Sequence, residues 1–167
     1  MSGSGWDYVT PYEGSAEQSL RALHQKVFDE EFAHGRNPEL FGHSMPTYGS
    51  LEELWADRQF MDEVGTHTVI DVYRHIPADG QLGPYEHYNT IRPLSDECLE
   101  HYFGTSRPTV QQFREAIDHA DQVIRIPPPR SERVLLDEAD ARWTARYVVL
   151  YTDGQPTHMG VFGSSGD

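Results

Sequence analysis

RWTARYVVLYTDGQPTHMGVFG, Arg142 to Gly163, decides how this chain is read. β-Branched and aromatic residues lie on both sides of Asp153-Gly154, a dipeptide that marks a turn. The reading is a strand, a turn and a returning strand, a hairpin with a longer loop. Before it, PPPRSERV (127–134) is too proline-rich for regular structure and reads as an extended connector. Further upstream, Thr109 and Gln112 form a capping-box pattern. Val110, Phe113, Ile117 and Ala120 follow at helical spacing, predicting a helix to about Ala120. QVIRI (122–126) reads as a brief strand or the tail of that helix. A short helix is expected from Ser95 to about Tyr102, and a short strand within YEHYNTI (85–91).

The strongest single-strand signal is GTHTVIDVYRHIPADG, Gly65 to Gly80. Alternation puts Thr68, Ile70, Val72, Arg74 and Ile76 on one face, and His67, Val69, Asp71, Tyr73 and His75 on the other. Two helices should precede it. Ser15 with Gln18 caps the first, which runs to about His34 on Leu20, Leu23, Val27, Phe28 and Phe32. Its opposite face, with Glu17, Arg21, Asp29 and Glu30, reads as solvated. Ser50 with Glu53 caps the second, which ends before Gly65 and carries Leu51, Leu54, Trp55 and Met61 inward. The loop between them is rich in Gly and Pro. Helices and strands mix without a repeated strand–helix unit, and no internal repeat is visible. The expected fold is α+β: one compact domain over residues 1–167, with 1–5 a flexible start. It should hold an antiparallel sheet that includes the C-terminal hairpin, packed against three to four helices.

Charge is the strongest global signal. The chain has 27 Asp and Glu against 13 Lys and Arg, a formal net charge of −14. That balance repels a phosphate backbone and anionic lipid, so nucleic acid and membrane surfaces are not expected partners. There is no run of eighteen apolar residues to span a bilayer. No basic-then-apolar signal segment opens the chain, so a cytoplasmic location is expected. An acidic surface steers basic partners. The bland account is solubility alone, together with the composition of a GC-rich bacterial genome, since Lys26 is the only lysine among the 13 basic residues.

The chemistry-bearing residues are scattered. Nine histidines invite a metal, but no two stand three or four apart on one expected helix. His67 and His75 would lie about 26 Å apart on an extended strand, too far to share an ion. No metal and no cofactor are therefore expected. The single cysteine, Cys98, excludes an internal disulfide; it opens an expected helix, where a thiol is either activated or simply a small buried group. Ser164 and Ser165 sit in no nucleophile elbow, and no phosphate loop is present. Asp71 stands out as a charge inside the best strand. If its face is covered it needs a partner, and Arg142 and Arg146 on the hairpin are the candidates.

WDYVTPYEGSAEQSLRALHQKVF (6–28), GTHTVIDVYRH (65–75) and VFGSSGD (161–167) together resemble a group of small actinobacterial proteins of unassigned function. The resemblance implies a bacterial cytosolic origin and carries no activity. The expected function is thus an acidic, non-enzymatic protein-binding module. An immunity protein that neutralises a toxin is one concrete form. Its expected contact surface combines Asp29, Glu30 and Glu31 with Glu52, Glu53 and Asp57. The alternative is a small enzyme or ligand-binding domain with a pocket between the Gly65–Gly80 strand and the hairpin. There His67, Asp71 and His158 would act as acid–base groups, and Arg74 or Arg146 would hold an anion. Tyr8, Tyr12, Tyr73, Tyr85, Tyr88, Tyr147 and Tyr151 are expected to line a pocket or a protein-binding surface, the plainer reading being the edge of the core.

Overall fold

The computed structural model describes residues 5–32, 47–127, 129–139 and 141–165. The hairpin is its centre. β4 (Thr144–Thr152) and β5 (Gln155–Ser164) pair antiparallel around Asp153 and Gly154. Both turn residues have positive φ, 52° and 75°, so the expected longer loop is in fact a tight two-residue turn. β1 (Gly5–Pro11) runs antiparallel along the other side of β5, pairing Gly5 with Ser164 and Pro11 with His158. The aromatic N-terminal stretch, given no element in the sequence reading, is an edge strand, and Gly5, expected to be part of a flexible start, belongs to it. Beyond β4 lie β3 (Thr90–Pro93) and the two-residue β2 (Arg74–His75), both parallel to it. The sheet order is β1-β5-β4-β3-β2. The fold is α+β as expected, with a mixed sheet: antiparallel on the β1 side, parallel on the β2 side.

Helices cover both faces. α1 (Ala16–Glu31) starts where Ser15 Oγ accepts the N–H of Gln18. The expected helix from Ser50 is two short ones, α2 (Leu51–Ala56) and α3 (Arg58–Glu63). Asp57 breaks it by capping the second: its carboxylate accepts the N–H of Phe60 at 3.0 Å and the hydroxyl of Tyr48 at 2.8 Å. These three helices pack on the sheet face bearing Ala145, Met159 and Val161. The expected end of the first helix at His34 and most of the following loop lie outside the described residues. α4 (Asp96–Phe103) and α5 (Val110–Ile124) cover the opposite face, where Phe113, Leu150 and Phe162 are fully buried. Each such side chain contributes roughly 1.5–3 kcal/mol of burial. Phe113 lies close over β5 because position 160 is glycine; a Cβ there would sit 2.7 Å from the ring. QVIRI mostly continues α5, which settles its reading as helix tail.

The largest correction concerns residues 65–80. This stretch is not a strand; only Arg74 and His75 pair into the sheet. Val69–Asp71 form a 3₁₀ turn, and Val69, Ile70 and Val72 are all buried at once. Local side-chain hydrogen bonds outcompete the ladder. Thr68 Oγ1 accepts the N–H of Ile70 at 3.2 Å, and Asp71 folds back onto residues 66 and 67. The β-branched residues that signalled a strand are here because the turn is buried on every side.

Candidate functional site

Two polar concentrations involve the Gly65–Gly80 stretch and its surroundings. The first centres on Asp71, which is 1 % exposed. Oδ1 accepts the N–H of Thr66 at 2.6 Å and its hydroxyl at 2.8 Å. Oδ2 accepts the N–H of His67 at 2.9 Å and the hydroxyl of Ser165 at 3.0 Å. Ser165 in turn accepts the indole N–H of Trp6 at 3.0 Å. His67 holds a left-handed backbone at φ 55°, and so does Gly65 at φ 72°. A Cβ on residue 65 would press against the Asp71 carboxylate. Asn89, also left-handed at φ 60°, donates its side-chain amide to Asp71 O at 2.8 Å. The expected arginine partners are not used: Arg142 lies over the Trp143 ring, and Arg146 Nη1 donates to Ala145 O. Asp71 is a structural knot that ties the turn to both ends of the chain's sheet, and its carboxylate has four donors already.

The alternative catalytic set does not assemble around it. His67 contributes its backbone N–H to Asp71. His158 lies on β5, seven residues before Ser165, about 23 Å along a strand. Its Nδ1 meets Thr157 Oγ1 at 2.9 Å. Arg74 reaches the carbonyls of Glu86 and Tyr88. Among the described residues no three His, Cys, Asp or Glu side chains converge as metal ligands. Cys98 is half-buried on α4, with its N–H on Ser95 Oγ, on the far side of the sheet.

The second concentration is a groove of about 450 Å³ between α1, α2 and the Tyr73–His75 segment. Leu20 and Leu51 contribute apolar lining. Trp55 and Tyr73 form an aromatic wall, with ring centroids 5.8 Å apart. Both are anchored: the Trp55 indole N–H donates to Ile70 O at 3.0 Å, and Arg58 donates to the Tyr73 hydroxyl at 2.9 Å. On the α1 side, Glu17 Oε1 meets His75 Nδ1 at 3.1 Å, and His75 Nε2 meets the Tyr147 hydroxyl at 3.1 Å. A carboxylate only accepts, so Nδ1 carries the proton shared with Glu17; a neutral ring then accepts the phenol proton at Nε2. Burial, and then the nearby Glu17 charge, push the Tyr147 phenol up from its ordinary value, so it stays protonated. The relay therefore positions Glu17 and does not produce a nucleophile.

His24 lines the same groove with a buried ring, edge-on to Trp55 at 5.4 Å. Its Nε2–H donates to Val69 O at 2.9 Å, and burial pulls its pKa down to about 4. Glu52 and Arg21 also line the groove, and neither has a hydrogen-bond or ion-pair partner among the described residues. Position along the helix pattern had assigned Glu17 and Arg21 to a plain solvated face and Trp55 to the core. The tyrosines, through Tyr73 and Tyr147, and the acidic contact surface, through Glu52, were the pointers to this place.

The six acidic residues expected to form one surface divide by role. Glu53 accepts the N–H of Gly49 at 2.8 Å and Asp57 caps α3, so both stabilise helix starts. Asp29, Glu30 and Glu31 occupy the last turn of α1, which holds no basic residue. Glu52 alone of the six reaches the groove. No helix among the described residues is long and apolar enough to cross a membrane. Comparison with family models, with curated proteins and with solved structures found no match.

Proposed function

We propose that this chain is a non-enzymatic, cytoplasmic protein-binding module that docks a basic partner on its α1–α2 face. One observation carries the reading: the groove there has fixed aromatic walls, yet Glu52 on its rim has no hydrogen-bond or ion-pair partner among the described residues. Its carboxylate gains from the first turn of α2 only through the helix dipole, which leaves its oxygens available to an outside donor. The last turn of α1 adds support. Three carboxylates stand at the helix end where the macrodipole disfavours negative charge, each at a cost of roughly 0.3–1 kcal/mol. A net charge of −14 favours encounter with a basic surface. An immunity protein that neutralises a basic toxin is one concrete form of such a module.

The test is partner capture from the host, followed by binding between purified components. The expected partner is basic, and its affinity falls roughly tenfold or more between low and moderate salt. Reversing charge on this face (Glu30→Lys with Glu52→Lys) should abolish binding; reversing Glu115 and Asp118 on α5 should leave it intact. A partner indifferent to salt, or one that follows the α5 charges, overturns the reading.

A further inference from the structure

We infer that the α1–α2 groove is a socket for one arginine side chain of that basic partner. The inference rests on the binding-module reading and specifies its anchor. A guanidinium is planar, weakly hydrated and always charged; it stacks on aromatic faces and pairs with carboxylates through two parallel N–H groups. The groove offers both. Trp55 and Tyr73 present neighbouring rings, and each is already fixed by a hydrogen bond at its polar end. A cation over such rings is attracted by their quadrupoles. Glu52 stands three residues before Trp55, on the same face of α2. Across the groove, the His75–Tyr147 pair holds Glu17. Two carboxylates thus flank one aromatic wall. The volume, about 450 Å³, suits a side chain and a short piece of backbone, not a folded element. Arg21, four residues after Glu17 on α1, is the one arginine or lysine among the groove's described lining residues. It opposes a second cation and limits the socket to one.

The probe is N-acetyl-arginine amide, compared with its citrulline analogue, which has nearly the same shape and no charge. Titration is followed by the indole N–H resonances of Trp6, Trp55 and Trp143. The arginine compound should shift Trp55 saturably and leave Trp6 and Trp143 in place, and citrulline should not bind. Glu52→Gln should weaken binding roughly fivefold or more, and Arg21→Gln should tighten it about two- to fivefold. Neither side chain has a hydrogen-bond or ion-pair partner among the described residues, so both variants should remain folded. Equal binding of citrulline, a shift confined to Trp6 or Trp143, or an unchanged affinity in Glu52→Gln overturns the socket. If a basic partner binds with steep salt dependence while Glu52→Gln and Arg21→Gln leave it unaltered, the socket fails and the module reading stands. If the arginine compound binds as expected but no basic protein does, the module reading fails and the groove is a receptor for a free guanidinium compound.

Discussion

The Asp71 knot and the α1–α2 groove are built from similar side chains and put to opposite uses. Around Asp71 every oxygen of the carboxylate is met, by two backbone N–H groups and two hydroxyls, and water is excluded. Around the groove the aromatic walls are fixed, while Glu52 and Arg21 have no hydrogen-bond or ion-pair partner among the described residues. The comparison teaches that an unusual residue in sequence is not the same as an available one in space. Asp71 looked catalytic because a strand disfavours it, and it is there because a buried turn needs an acceptor. Glu17 looked ordinary because helix surfaces are full of glutamate, and Glu52 was one of six acids spread over a single expected contact surface.

The sharpest way to break the comparison is Asp71→Ala. It leaves four donors facing a dry hole and should cost about 3–5 kcal/mol, read from denaturant unfolding. A loss below 1 kcal/mol would mean the knot is not what joins the turn to the sheet. His24 couples the two regions, since its ring lines the groove while its N–H holds the turn at Val69. Its folded pKa of about 4 lies below the ordinary 6.5, so the unfolded chain takes up the proton first. Its contribution is complete above pH 6.5 and disappears as pH falls to 4, a loss approaching 3 kcal/mol, on the order of two to three pKa units. His24→Gln should flatten that segment of the stability–pH curve; a curve of the same slope in the variant would place the titrating group elsewhere. Ser165→Ala removes one donor to Asp71 and the acceptor of Trp6, and should cost about 1–2 kcal/mol by thermal or chemical unfolding. Glu52→Gln stands at the far end: stability should move by less than about 0.5 kcal/mol, whatever it does to binding. A clear destabilisation would show that Glu52 is a folding residue after all.

Much of the architecture was legible from local signals. Ser15, Ser50 and Thr109 each cap a helix where the pattern placed them, because a cap needs only its own next three residues. The hairpin was legible because Asp153-Gly154 accepts positive φ and the flanking residues prefer strands. Gly65 to Gly80 was misread because burial and β propensity select the same residues, and only the contacts of Asp71 distinguish a buried turn from a buried strand. Of the candidate site, Tyr73, Tyr147 and Glu52 were legible as surface or pocket residues, while Glu17 was read only as part of a solvated face.

By itself the amino-acid order determined the helix starts at Ser15, Ser50 and Thr109, the C-terminal strands, the α+β class and the acidic balance, because caps, turns and periodicity act over a few residues and charge is simply additive. Only the folded chain decided that β1 closes the sheet against β5, that Asp71 is locked inside, and that Glu17, His75 and Tyr147 meet beside an aromatic groove. Those contacts join residues as much as 159 positions apart, and they form because packing brings together faces that no local rule relates.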